Sequence, residues 1–302
     1  MRREPLAVVR PTARVLTVAN FDAFLAAVVP ASACAEARVV LDLRSLDFID
    51  LFAMLGVAYL CGDLGDAGSC RVRLELGEDG ACSFLPRAGF FDVLPASDLV
   101  EFDVPAARIE YLRLYHGANT GLLELTSISS SDAIAAVLGK FIGILRHRLK
   151  YRKDDAYDLA IMLSELCHNV IDHHPEPAAA AGVAAMQVHD GRAGRFVQVV
   201  VGDRGNGIRR TLAQNPAHSK LSSDVAAILR SVDLGVSEHA EVTRGNGLYH
   251  LRRLVAQHRG ALHIRSGRGK VYYPVDRLQP LTFAVPWLGG TQFAIALPVK
   301  PG

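Results

Sequence analysis

One helical stretch, residues 154–173, restricts the fold more than any other part of the chain, because polar groups run along its apolar stripe. Leu159, Met162, Leu163, Leu166 and Val170 recur at three- and four-residue intervals, the period of a helix that buries one face. Glu165, Asn169 and His173 follow at intervals of four, so at 100° per residue they lie within about 80° of one side. A carboxylate, an amide and an imidazole stacked in this way can hold a hydrated cation and a water. Equally, they can be no more than the polar edge of an amphipathic helix. Asp154 or Asp155 is placed to cap this helix, and Pro175 stops it.

The segments that follow narrow the choice. Two strand-like runs, residues 183–189 and 195–201, are joined by a glycine-bearing turn. The second runs into Gly202-Asp203-Arg204-Gly205-Asn206-Gly207-Ile208. An aspartate at a strand end can accept a hydrogen bond from an exocyclic amine, and the alternate glycines allow a tight turn and close approach of a ring or phosphate. Alone, D-x-G-x-G is also a common strand-end turn. Gly245-Asn246-Gly247-Leu248 then opens a helix over residues 248–257, where bare backbone N–H groups suit phosphate, although a plain loop-to-helix junction reads the same way. Gly289-Gly290-Thr291 places a hydroxyl beside the last strand, residues 292–297, after another at 261–266.

Upstream, Ser129 to Asp132 offers an N-cap to a helix carrying Ile134, Val137, Leu138, Phe141 and Leu145. Two helices followed by a largely antiparallel sheet and one more helix form an α+β layer. The first part of the chain alternates strands (residues 14–18, 39–43, 71–76) with helices (21–29, 51–64, 81–94), which predicts a small open sheet with helices packed on it. We place the boundary near residues 115–128, giving domains 1–115 and 116–302.

Composition excludes several classes. Acids and bases nearly cancel to a formal charge of +2 over 302 residues, so no broad field favours nucleic acid or a membrane surface. The run Arg146 to Lys153 reads as a helix end whose cations suit the negative end of the helix dipole. The five cysteines contain no C-x-x-C pair, and the histidines lack an H-E-x-x-H pattern, so a structural metal is not expected. Pro11, Asn20 and Asp22 interrupt the apolar N-terminal stretch, and no run approaches the ~20 residues of a membrane span. The expectation is a soluble, cytoplasmic protein.

Taken in order, E-x-x-x-N on a helix, strand-end D-x-G-x-G, helix-opening G-x-G-L and a terminal G-T strand resemble the Bergerat-fold, or GHKL, ATP-binding proteins, which include gyrase and the histidine kinases. The resemblance covers roughly residues 125–300. It implies an α/β sandwich: a mixed, mostly antiparallel sheet with helices on one face. It implies ATP and magnesium as cofactors, with Asn169 as the Mg ligand and Glu165 as the catalytic base. His173 belongs to the same box. Asp203, assisted by Thr291, would receive the adenine amino group, with Gly205, Gly207 and Ile208 in its loop. Gly245, Gly247 and Leu248 would line the triphosphate, and residues 208–243 would form a flexible lid.

Within that group the chain is most similar to the anti-sigma-factor serine kinases. Val39-Val40-Leu41-Asp42-Leu43, then Leu46-Asp47-Phe48-Ile49-Asp50 and an apolar helix, resemble the STAS domain of anti-anti-sigma factors, over about residues 5–110. Where that family has serine or threonine and a glycine, this chain has Leu51, Phe52 and Ala53, so phosphorylation there is not expected; the domain would dock or regulate. The resemblance thus implies signal transduction: γ-phosphate transfer to a protein serine or threonine or to water, with a protein partner and a homodimer as a further possibility. The alternative is a nucleotide-gated binding switch with little or no turnover.

Overall fold

The computed structural model describes residues 6–32, 38–66, 70–77, 80–94, 98–172, 182–191, 194–236 and 247–299. Its contacts divide the chain into two compact units, Met1–Asn119 and Thr120–Gly302.

In the first unit, β1 (Leu6–Val9), β3 (Arg38–Asp42), β5 (Arg71–Glu75) and β6 (Val100–Phe102) form a parallel sheet in the order β1-β3-β5-β6. A short parallel pair, β2 (Val15–Leu16) with β4 (Phe48–Ile49), stands apart from it. The helices are α1 (Phe21–Ala31), α2 (Leu51–Asp66), α3 (Phe90–Val93) and α4 (Ala106–Arg113). Helix α2 is buried from Leu51 to Cys61, as a helix apolar on all sides must be. Buried Asp50 starts it: one carboxylate oxygen accepts from the Ala53 N–H at 2.8 Å and the other from the Val18 N–H at 3.0 Å. Phe21, the first residue of α1, packs on α2 at Gly56, where any Cβ would overlap its ring, and it meets Phe52 edge-on at 6.1 Å.

Two readings of this unit need correction. Residues 81–94 are not one helix: a 3₁₀ turn at Gly80–Ser83 and the four-residue α3 are separated by Pro86, which lacks an N–H, and by Gly89 at φ 80°. The strand expected over 14–18 is only Val15–Leu16, because Thr17 and Asn20 close a turn, with the Thr17 N–H donating to Asn20 Oδ1 at 2.8 Å.

In the second unit, β7 (Leu122–Ile128), β8 (Gly182–Gly191), β9 (Gly194–Asp203), β10 (Ala261–Tyr273) and β11 (Leu281–Pro298) form one sheet in the order β10-β11-β9-β8-β7. Every ladder of this sheet among the described residues is antiparallel, in keeping with the mostly antiparallel layer expected for this part of the chain. The helices are α5 (Ser131–Gly143), α6 (Lys153–Asp172), α7 (Gly207–Leu212), α8 (Asp224–Ser231) and α9 (Gly247–Gln257). Val197, Val199 and Val201 alternate along β9, and Phe293, Ile295 and Leu297 along β11, all facing one core. Ile134, Val137 and Phe141 of α5, the predicted stripe of α6, and Leu251 and Val255 of α9 fill that core from the helical side. This is an α/β sandwich with a layer of helices on one sheet face.

Ser130 caps α5, its Oγ accepting from the Ala133 N–H at 3.2 Å. Asp154 and Asp155 do not cap α6. The helix begins at Lys153 and carries both in its first turn, where negative charge still suits the dipole. Strand β7 lies inside the stretch read as a domain boundary, because Leu122, Leu123 and Leu125 show no clean alternation. The last strand starts at Leu281, eleven residues before the expected Gln292, and passes through Gly289 and Gly290 with a register shift opposite Gly267.

Candidate functional site

The site begins on α6. Glu165 is exposed and Asn169 half-buried, while Leu166 and Val170 between and beyond them point into the core. Helix α9 opens directly against this polar edge: a Cβ at Gly247 would stand 3.0 Å from Glu165 Oε2 and 3.8 Å from Asn169 Nδ2. Only a glycine brings backbone N–H groups this near the pair without a side chain between. Leu248, next in the motif, packs on the core and anchors the helix start. His173 and Gly245 lie outside the described residues.

The second part sits at the end of β9. Val170 fills the space over Gly182, where no Cβ would fit, and Gly182 pairs in register with Asp203. The half of α6 that carries Asn169 is thereby drawn to the Asp203 end of the sheet. Asp203 Oδ1 accepts from the Gly205 N–H at 2.7 Å, and the Thr291 backbone N–H also donates to the carboxyl group. Although Asp203 retains some accessible surface, desolvation outweighs these hydrogen bonds and pushes its pKa up to about 7. A desolvated carboxylate held only by neutral donors gains from any further N–H donor offered to it.

Ser266, which the sequence did not single out, and Gly290, to which it gave no role of its own, tie this end together. Ser266, on β10, is buried; its Oγ accepts from the Ile208 N–H at 2.9 Å and lies 3.2 Å from Gly290 O and 3.3 Å from Thr291 Oγ1. Gly290, at φ 73°, touches the backbone of Asp203 so closely that a Cβ would overlap its carbonyl. The Gly289-Gly290 doublet was a visible signal for a close approach; Ser266 offered none, because it ends an ordinary strand pattern. Gly207 takes φ 74°, and a Cβ there would lie 2.9 Å from Ser266 Oγ, while Ile208 rests on the core. Of the predicted site residues, Glu165, Asn169 and Gly247 thus meet at one place, and Asp203, Gly205, Gly207, Ile208 and Thr291 at another, joined through Val170 and Gly182.

The segment read as a flexible lid, residues 208–243, is largely built structure where it is described. It contains most of α7, a 3₁₀ turn at Pro216–His218 and all of α8. Helix α8 buries Ala227 and Ile228, and Asp224 accepts from the Arg268 N–H at 2.8 Å, which fastens it to β10. The buried face of α8 holds it to the sheet, a pattern hidden in sequence by the helix's eight-residue length. Residues 237–243 lie outside the described residues.

Among the described residues no group of three or more His, Cys, Asp or Glu is placed to hold a metal ion, and no helix is long and apolar enough to cross a membrane.

Residues 129–271 match the family described as the histidine kinase-like ATPase domain. Similar solved structures include the histidine kinase domain of the blue-light activated histidine kinase from Erythrobacter litoralis EL346, 18% identical, covering 63% of this chain and 72% of that one at a TM-score of 0.29. No curated protein matches the chain. The family match spans α5 to β10, including Glu165, Asn169, Asp203 and Gly247, and the second unit carries a histidine kinase-like ATPase domain.

Proposed function

We propose that this domain binds ATP with magnesium and drives a regulatory phosphoryl transfer to a protein serine or threonine, or to water. The observation that carries the reading is the placement of Gly247 against Glu165 and Asn169, a bare helix start facing a carboxylate and an amide. The residues fit the ligand at both ends. The opening of α9 suits phosphate oxygens, and the raised pKa of Asp203 marks a carboxylate that an exocyclic amine would satisfy. Asn169 would supply a carbonyl oxygen to magnesium, a cation that keeps waters and shares phosphate oxygens rather than requiring an all-protein cage.

ATP supplies a γ-phosphoryl group, and magnesium neutralises charge on it. The chain's own work is positioning and proton transfer. Asp203 and the glycine loop hold the base, and the first turn of α9 holds the phosphates. Glu165 takes the proton of the attacking hydroxyl or water as the new O–P bond forms and the bond to ADP breaks. The first unit would not be the acceptor at the position equivalent to a STAS phosphorylation site, because Leu51, Phe52 and Ala53 are buried and carry no hydroxyl. We assign it a docking or regulatory role.

The test is release of labelled phosphate from γ-labelled Mg-ATP, alone and with candidate acceptor proteins, by wild type and Glu165→Ala. Turnover should vanish in the variant while ATP affinity changes by less than about threefold, since Glu165 is needed for the transition state rather than for binding. Equal turnover in both proteins would overturn the role of Glu165.

A further inference from the structure

We propose that Ser266 is a positioning residue that sets the hydrogen-bond polarity of Thr291 and so helps the site choose amine-bearing over keto-bearing purine triphosphates. This rests on the ATP reading above.

Ser266 is 2% exposed, so solvent does not supply its partners. Its Oγ has three polar neighbours: the Ile208 N–H, Gly290 O and Thr291 Oγ1 at 2.9, 3.2 and 3.3 Å. The amide can only donate and the carbonyl can only accept, so the single Ser266 hydroxyl proton goes to Gly290 O. The remaining lone pair then receives the Thr291 hydroxyl proton. Thr291 is left with its own oxygen lone pairs for other partners, beside an Asp203 carboxylate that is also an acceptor. Thr291 and Asp203 are directly paired across β11 and β9, so the two acceptors stand side by side.

A ring edge bearing an amino group meets two acceptors favourably, whereas a carbonyl at the same place meets two lone-pair surfaces and is rejected. Without the Ser266 oxygen, the Thr291 hydroxyl loses the acceptor that fixes its proton. It can then turn and donate to a carbonyl as readily as it accepts from an amine. Ser266 also fastens the glycine loop through Ile208, and a purely bracing role would weaken all nucleotides alike. The two roles therefore separate in the ratio of affinities.

The experiment measures Kd for ATP and for inosine triphosphate, whose base carries a carbonyl where adenine has its amine, in wild type and in Ser266→Ala. The expected result is a fall of about tenfold in the ATP-to-inosine triphosphate preference, the scale of one lost neutral hydrogen bond. Thr291→Val, which leaves Ser266 intact, should lower the same ratio. If Ser266→Ala fails to fold, Ser266→Cys, with its weaker acceptor, is measured instead and should shift the ratio in the same direction. Equal weakening of both nucleotides, with the ratio unchanged, would overturn the inference and leave Ser266 as a brace. A wild-type protein that binds neither nucleotide would overturn the ATP reading itself, and this inference with it.

Discussion

Gly247 faces Glu165 across the α9–α6 packing so closely that an added methyl group would stand 3.0 Å from the carboxylate oxygen. A helix-forming residue at that place would improve α9 considered alone, since glycine costs about 1 kcal/mol relative to alanine in a helix interior and less at its first turn. We therefore expect Gly247→Ala to leave the melting temperature unchanged or slightly raised while lowering Mg-ATP turnover by about tenfold, a displacement effect on a positioned group. Calorimetry and phosphate release on the same sample check both halves. Full turnover in a folded variant would count against phosphate binding at this turn.

Asp203 gives the site a pH dependence with a defined sign. Its carboxyl group, raised to about 7 by desolvation, accepts a hydrogen bond from an amine much more strongly once ionised. Affinity for ATP should rise by about tenfold between pH 6 and pH 8, as a single titration at that value requires. Asp203→Asn should flatten this rise. Because the folded pKa lies above the unfolded one, this group's contribution to folding stability is fully present below about pH 4 and is lost as pH climbs through about 7. Denaturation midpoints of wild type and Asp203→Asn across that window test the second statement independently of ligand.

Gly290 combines a left-handed φ of 73° with close contact on the Asp203 backbone. Gly290→Ala should destabilise the second unit by about 2–4 kcal/mol, from backbone strain together with overpacking. Urea denaturation measures it. A loss below about 0.5 kcal/mol would mean that the β9–β11 approach relaxes easily.

In the first unit, Gly56→Ala should cost about 1–3 kcal/mol, because the new methyl group runs into the Phe21 ring in a filled core. Phe21→Leu in the same chain should recover part of that loss by opening space. Additive destabilisation in the double variant would show that the Gly56–Phe21 contact is not the source.

Periodic or continuous apolar runs placed α2, α6, β3, β5, β8 and β9: α6 by its helical stripe, β5 by alternation, and α2 and β3 by unbroken apolar content. The short elements escaped: α7 and α8 are too brief to show a helical stripe, and β7 buries consecutive leucines that look the same in a strand or a helix. The helix drawn over 81–94 failed because a proline and a left-handed glycine outweighed its apolar content.

The candidate site divides in the same way. The local sequence determined which groups could do chemistry, because Glu165 and Asn169 share a helix edge by spacing alone and Asp203 ends a strand between glycines. Only the tertiary structure decided their company. Gly247 reaches Glu165 because α9 packs on α6; Val170 reaches Gly182 because α6 lies on the sheet; Ser266 reaches Ile208, Gly290 and Thr291 because β10, β11 and the glycine loop converge. Such contacts join residues up to 82 positions apart, as Gly247 and Glu165 are. No local propensity encodes them; they arise where several buried faces must be satisfied at once.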